Sequence, residues 1–236
     1  MKVFTPIPGA AITIAATEVS ASGSVPVASG LRTSTVSILD YDDLKGKVGQ
    51  WLKRTDLADV SGDFVMLFEA RFNRNVRVRQ MESSYSQAIS EKTVALPDDW
   101  LEMIGKPTLN GKPQSFITRD QYKALDRSIP VYEDGYFSIF GSNLKLAADV
   151  SEGPTIEFDY YAKLPSLSAA NPTNWLLADG PDIYLYGSLL EAEPYLKNDP
   201  RIETWRALLQ VAMTDMQSAS DKAKHSGGTL EIRQPC

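Results

Sequence analysis

Cysteine and histidine are almost absent from this chain of 236 residues, which has one of each, Cys236 and His225. A single cysteine excludes an intrachain disulfide framework and any paired-cysteine metal site. A Ser-His-Asp or Cys-His catalytic group, or a multi-histidine metal site, would depend on His225 alone. His225 lies beside Gly227 and Gly228, a pair that is typical of a helix end. We therefore expect neither a metal nor a cofactor.

Long apolar runs and an excess of basic residues are also missing. No apolar run approaches the roughly 18 residues that a membrane-spanning helix requires. The net charge is −6, whereas proteins that wrap nucleic acid are usually basic. The sequence has no phosphate-binding glycine loop and no nucleophile elbow. Acidic pairs that a hydrolase could use do occur, but such pairs are common on ordinary surfaces: Asp98 and Asp99, Glu157 and Asp159, Glu191 and Glu193.

Residues 1–38 differ in composition from the rest of the chain, because they are rich in small residues and proline and contain only three charged residues. They hold too little apolar bulk for a core of their own. We interpret them as an extended N-terminal arm that lies on another surface, and the alternative is a partly disordered leader.

Residues 39–77 have the pattern of a helical hairpin. Asp40 or Asp42 is a suitable cap for a first helix, and Ser61 or Asp63 for a second helix that places several phenylalanines inward. From residue 78 to 170 the apolar period changes to two, which predicts a β-rich insert. Asn110-Gly111 is a hairpin signal, whereas residues 97–102 have the pattern of a short helical turn.

Residues 171–226 predict long helices that complete the bundle. Pro194 is expected to break the first of them, and Asp199-Pro200 to begin a second that ends at Gly227-Gly228. Apolar positions on this second helix recur at spacings of 3 and 4 and form a seam: Ile202, Trp205, Leu209, Ala212, Met216, Ala219 and Ala223. The seam is either a core stripe within one chain or, in part, a contact with a neighbouring subunit, for which Trp205 and Met216 are candidates.

The overall fold prediction is therefore α+β. It consists of an antiparallel helical bundle with an inserted β-rich subdomain and extended N- and C-terminal arms.

Four arginines fall within nine positions, namely Arg71, Arg74, Arg77 and Arg79. The spacing places Arg71 and Arg74 on one face of a helix, and Arg77 and Arg79 on one face of a strand. A strip that faces DNA is one interpretation. Because the rest of the chain is acidic, we favour ion pairs within the chain or between subunits.

Several segments together resemble the bacteriophage head-to-tail adaptor family, also described as head-completion or tail tubular adaptor proteins. The similarity extends from about Tyr41 to Arg233, and its segments are fairly specific only as a set. They are residues 69–74, 77–82, 94–102, 160–168, 171–177, 182–192 and 225–228.

The resemblance implies a structural protein of the virion at the head-tail junction, made in the host cytoplasm, with no catalytic residue. It implies a homo-oligomer, a dodecameric ring, that docks on the portal protein. The ring would continue the DNA channel without sequence-specific binding and receive a tail nozzle or tail-tube protein. The alternatives are another virion part, such as a tail-tube or decoration protein, and a virion-associated hydrolase.

Residues 227–236 form a predicted C-terminal arm. Leu230 and Ile232 alternate with Thr229, Glu231 and Arg233, which is a strand pattern. A single short strand is not stable alone. We therefore expect these five residues to bind the portal or a neighbouring subunit by adding to a sheet edge or a groove; the alternative is a frayed chain end.

Overall fold

The computed structural model describes residues 38–54, 56–57, 59–125, 135–148, 150–196 and 199–224. Nearly all of the predicted N-terminal arm and all of the C-terminal arm lie outside these residues. The described part contains both helices and sheets, which confirms the α+β class. The helices are α1 Tyr41–Leu52, α2 Ser61–Asn75, α3 Arg119–Ala124, α4 Trp175–Asp179, α5 Pro181–Glu191 and α6 Arg201–Lys224. The strands are β1 Glu82–Ala88, β2 Thr93–Ala95, β3 Trp100–Leu109, β4 Lys112–Pro113, β5 Ser115–Phe116, β6 Tyr136–Phe140, β7 Asn143–Ala147 and β8 Thr155–Ala162.

Helices α1, α3 and α4 begin at polar caps. The cap position of α2 is Val60, which makes no side-chain cap bond, so the predicted caps Ser61 and Asp63 are wrong. The Asp40 carboxylate accepts a hydrogen bond of 2.8 Å from the backbone N–H of Asp43, so the cap of α1 is Asp40 rather than Asp42. Thr118 and Gln121 form a reciprocal capping box at α3. At α4, Asn174 accepts from the N–H of Leu177 at 2.9 Å. These bonds satisfy donors that a helix start leaves without a partner.

Helix α5 is the centre of the helical part, because α1, α2, α4 and α6 all contact it. Its side chains from Ile183 to Leu185 and from Ser188 to Leu190 are buried. Gly187 faces the Phe68 ring of α2 so closely that a Cβ atom there would overlap the ring. The absent side chain therefore permits the close approach of the two helices.

The strands form two four-stranded sheets, with orders β1-β8-β3-β4 and β2-β7-β6-β5. Inward residues of both sheets share one hydrophobic core, separate from that of the helices. Phe158 on β8 and Leu144 on β7 are among its buried members. The predicted Asn110-Gly111 hairpin joins β3 to β4, with φ of 49° and 76° at the two turn residues.

The predicted helical turn over residues 97–102 is wrong. A single turn closes where the N–H of Trp100 donates to the Pro97 carbonyl at 3.0 Å. Trp100 and Glu102 then pair with Ala162 and Tyr161 of β8. Pairing with a neighbouring strand therefore overrides the local signal for a helix start.

The chain breaks between α5 and α6 where Pro194 predicts it, since Pro194 lies in a 3₁₀ turn, Glu193–Tyr195. Helix α6 begins at Arg201, one residue after Pro200, and the Asp199 carboxylate accepts from the N–H of Arg201 at 2.9 Å. Its 24 residues span about 36 Å. The predicted seam is wrong at one position. Ala219, which was expected to face inward, is exposed, and the neighbouring Ser220 is buried in its place.

Candidate functional site

The arginine cluster runs from α2 into the link and the 3₁₀ turn that follow it. Arg71 and Arg74 are on α2, as the spacing predicts, but the predicted strand for Arg77 and Arg79 is wrong. Arg77 lies in a short extended link after α2, and Arg79 begins a 3₁₀ turn, Arg79–Met81. The turn closes through a 2.9 Å bond from the N–H of Met81 to the carbonyl of Val78.

Arg77 joins the end of α2 to the sheets. Its Nε donates to the Glu102 carboxylate of β3 at 3.0 Å. Its Nη1 donates to the carbonyls of Asn73 at 2.8 Å and Val76 at 2.6 Å, which caps the C-terminal end of α2. One guanidinium therefore fixes a helix end and a strand in one arrangement.

Lys224 makes a second link of this kind from the end of α6. Its ammonium lies 3.0 Å from the Glu82 carboxylate of β1 and 3.4 Å from the Tyr161 hydroxyl. The hydrogen bond to Glu82 raises the pKa of Lys224, so the ammonium form is favoured. Nearby, the Ser220 hydroxyl accepts from the N–H of Arg79 at 2.9 Å.

The remaining arginines of the cluster differ in their partners. Arg71 forms an ion pair of 2.9 Å with Glu191 of α5. Arg74 and Arg79 are exposed, and no ion pair joins either of them to a carboxylate of the described residues. Arg74 is therefore available to a partner.

The two seam residues expected at an interface lie in different surroundings. Trp205 is 3% exposed and packs in the helical core of its own chain, with the Arg201 guanidinium 5.0 Å from its ring centre. Met216 is partly buried against the same core. Among the exposed apolar residues, three lie on the outer faces of two helices, Leu67 of α2 at 46%, Leu208 of α6 at 40% and Val211 of α6 at 58%; others include Met66 and Phe116.

A buried polar network, which the sequence analysis did not predict, holds the connection between β8 and α4 on α2. Glu69 is only 3% exposed. Its carboxylate accepts hydrogen bonds from the N–H of Leu167 at 2.8 Å and from the hydroxyl of Tyr184 at 2.9 Å. One turn further along, the Asn73 side chain accepts from the N–H of Leu164 at 2.8 Å. Asn174 donates to the Tyr184 oxygen at 2.6 Å.

Burial dominates the titration of this network. It raises the pKa of the Glu69 carboxyl, against the opposing effect of the hydrogen bonds from Leu167 and Tyr184. Burial, together with the nearby Glu69 carboxylate, also raises the pKa of the Tyr184 hydroxyl. The network lies in the core of the helical part, so its role is to position the chain.

An open groove of about 800 Å³ runs along α6. Leu190, Leu209 and Met213 supply its apolar residues, and Arg71 and Arg206 are basic residues of its lining. The arrangement offers an apolar strip with charged edges, which suits an amphipathic chain segment better than a small polar substrate.

A comparison with protein-family models identifies the family of this chain. The model described as SU10 adaptor protein matches residues 39–233, which is most of the chain. The chain belongs to the SU10 adaptor protein family. This is a phage head-to-tail adaptor family, which confirms the resemblance found in the sequence. No curated protein matches the chain significantly.

Membership in the SU10 adaptor family makes this chain a structural component of a phage virion, associated with portal and tail components. The matched region ends at Arg233, so it includes the five predicted binding residues from Thr229 to Arg233. Those five residues lie outside the described part of the chain. Within the described part, no helix is long and apolar enough to cross a membrane, and no three His, Cys, Asp or Glu side chains could hold a metal ion.

Proposed function

We propose that this protein forms a ring beneath the portal of a tailed phage, where it extends the DNA channel and provides the surface to which the tail attaches. The observation that carries this proposal is the family match over residues 39–233. Twelve copies are the expected ring size, because the adaptor resemblance implies a dodecamer.

In this proposal the helices form an antiparallel bundle, made from residues 39–77 and 171–226, and residues 78–170 are an inserted β-rich subdomain. The two separate hydrophobic cores support this division. Arg77 and Lys224 then set the orientation of the subdomain relative to the bundle, since both reach from helix ends to strands.

Ring closure requires two different faces of each subunit to fit each other. The outer face of α2 carries Leu67, Ala70 and Arg74, spaced by 3 and 4 residues. The outer face of α6 carries Leu208, Val211 and Asp215 at the same spacing. All six are exposed, so we assign these faces to the contact between neighbouring subunits.

Two helices packed side by side in the same direction would place the apolar pairs together and Arg74 beside Asp215. Neither residue has an ion-pair partner among the described residues. An exposed ion pair contributes little energy alone, about 0–1 kcal/mol. The ion pair between Arg74 and Asp215 would instead set the register of the two helices, because a register that places like charges opposite each other is disfavoured.

The net charge of −6 suits a channel through which the genome must move. Acidic walls repel the phosphate backbone, whereas basic walls bind it by releasing counterions. The C-terminal residues 229–233 would complete the assembly by pairing their backbone with an edge strand or groove of the portal or a neighbouring adaptor.

Charge reversal tests the subunit contact. Assembly on purified portal rings should be weakened by Arg74→Glu and by Asp215→Arg, and restored when both changes are present in one chain. Light scattering of the complexes measures the ring mass. Lys123→Glu on α3 is a matched control, since it reverses an exposed charge that lies on neither face. If the double variant assembles no better than the single variants, these faces do not meet.

A further inference from the structure

Strand β1 is a long, regular sheet edge with no strand on its outer side among the described residues. It comes first in the order β1-β8-β3-β4, and its seven residues pair with β8 one for one, without a bulge. The other edges are shorter, since β2 has three residues and β4 and β5 have two each. Proteins protect sheet edges by shortness, lysine, proline or a bulge, or with a covering segment. Because β1 has none of the first four, we expect a segment to cover it.

The register identifies the backbone groups of β1 that point away from β8. At the end of the β1–β8 ladder, the N–H of Ile89 donates to the carbonyl of Pro154 at 2.9 Å. Hydrogen-bonded positions alternate along an antiparallel strand. Tyr85 therefore bonds to β8, as do the residues two before and two after it. Ser84 and Ser86 direct their N–H and C=O groups to the free edge, where no other described residue bonds to them.

The end of α6 lies beside the start of this edge. The Ser220 hydroxyl accepts from the N–H of Arg79, and one turn later the Lys224 ammonium lies 3.0 Å from the Glu82 carboxylate. Helix α6 and the chain that enters β1 therefore advance in the same direction. We propose that, in the free subunit, residues 229–233 add to the free edge of β1 in their own chain, as a parallel fifth strand of its sheet.

This inference concerns the free subunit and does not depend on the proposed function. The proposed function assigns the same segment to the portal or to a neighbouring adaptor. During assembly the segment must then leave β1, so the portal competes with the subunit's own sheet for it.

The connection to the edge is long enough and requires no reversal of the chain. Five residues separate Thr229 from Lys224, and they reach at most about 17 Å. The gap to be crossed is the one that the Lys224 and Glu82 side chains already bridge. Gly227 and Gly228 permit the bend from the helix into the sheet edge. Such a short tether gives an effective concentration in the millimolar range, which favours the segment's own chain over a second copy.

The apolar residues of the segment find a suitable neighbour at the border of the core between the sheets. The Tyr85 ring stacks on Phe158 with ring centres 4.8 Å apart and is only partly buried. Aligned residues of neighbouring strands point to the same face of a sheet. A register that sets Ile232 beside Tyr85 covers this ring and places Leu230 on the same face. The two apolar residues then extend an existing core.

The acidic outer face of β8 favours the same register. In it, Arg233 lies across β1 from Glu157, and Glu231 lies across β1 from Asp159, both of which are exposed acids. The arginine offsets the negative charge on this face. A shift of the segment by two residues towards the end of β1 would bring Glu231 to Glu157 and leave the arginine beyond both acids, which like-charge repulsion disfavours.

Amide hydrogen exchange tests the proposal at the edge itself, by NMR on the full chain and on a chain truncated after Gly228. In the full chain the N–H groups of Ser84 and Ser86 donate to the added strand and are protected. Truncation should make these two amides exchange about tenfold faster. The amides of Tyr85 and Gln87, which bond to β8, are internal controls and should change little. Equal exchange of Ser84 and Ser86 in the two chains would overturn the proposal.

Disulfide trapping distinguishes the segment's own chain from a second copy. With Cys236→Ser as background, Ser84→Cys is combined with Glu231→Cys, because the register aligns these positions on the outer face. We expect a monomeric product with an intramolecular disulfide. The control combines Glu231→Cys with Gln217→Cys, because Gln217 is exposed on α6 and lies within reach of a frayed chain end.

Two results of the trapping would overturn docking in the same chain. Crosslinked dimers would place the segment on a second copy, and trapping no greater than in the control would show a frayed end. Both measurements use the subunit without a partner. Their failure would therefore be distinct from a failure of portal binding, which is measured on the mixture with portal rings.

Discussion

Replacement of Glu69 tests whether the buried network stabilises the connection between β8 and α4. The carboxylate accepts hydrogen bonds from the N–H of Leu167 and the hydroxyl of Tyr184. Glu69→Leu removes the acceptor and leaves both donors buried. An unsatisfied buried donor costs about 1–3 kcal/mol, so for two donors we expect the free energy of unfolding to fall by about 2–6 kcal/mol.

Glu69→Gln is the matched control, because it keeps an acceptor oxygen and removes the ionisation. Burial raises the pKa of Glu69 in the folded protein above the ordinary value of 4.5. The folded wild type therefore holds its proton more tightly than the unfolded chain does. Relative to the Gln variant, the wild type is most stable below pH 4.5, loses stability as the pH rises to the folded-state pKa, and stays constant above it.

Urea unfolding followed by tryptophan fluorescence from pH 4.5 to 8 measures all three proteins. Each unit of pKa increase corresponds to about 1.4 kcal/mol, which converts the observed pH dependence into the shift. Equal stability of Glu69→Leu and Glu69→Gln would refute the role of the hydrogen bonds. A difference between wild type and Glu69→Gln that does not vary with pH would refute the raised pKa.

Three further predictions follow from the packing and from the proposed assembly. Gly187→Ala should lower the free energy of unfolding by about 1–3 kcal/mol in thermal denaturation, because its methyl group overlaps the Phe68 ring. The same change at Gly46, where nothing lies within 4 Å, should raise stability by up to about 1 kcal/mol. Arg77→Ala should impair folding or ring assembly and leave DNA affinity unchanged; a salt-dependent loss of DNA binding in a soluble, assembly-competent variant would contradict this. Truncation after Gly228 should leave the helical circular dichroism unchanged and weaken binding to portal rings, whereas full affinity would show that the segment is not needed.

Much of the local structure follows from short signals in the sequence. Asn110-Gly111 meets the requirement of its hairpin turn for positive φ at both positions. Thr118 begins α3 because its hydroxyl and the Gln121 side chain satisfy the free donors of the first turn. Pro194 ends the helical run before it, since proline supplies no backbone donor. Each of these effects acts within four residues, so the neighbouring residues are sufficient to predict the local structure.

The site residues were harder to predict because their partners are distant in sequence. Glu69 lies 98 residues from Leu167 and 115 from Tyr184, and its position on an amphipathic helix gives no sign of burial. Val76 and Val78 are buried and alternate with Arg77 and Arg79, and this alternation is the same in a strand as in an extended link that enters a 3₁₀ turn. Only contacts distant in sequence distinguish the two, namely burial of both valines in the helical core and the bond from the N–H of Arg79 to Ser220 of α6.

The mass of the protein, alone and mixed with purified portal rings, tests the central claim most directly. Light scattering at low concentration should give a monomer of 26.0 kDa for the protein alone. With portal rings it should give a complex that contains one ring of adaptor subunits, expected to number twelve. A stable ring without any portal would contradict assembly on the portal. A mixture in which portal and adaptor stay separate would contradict the connector function itself.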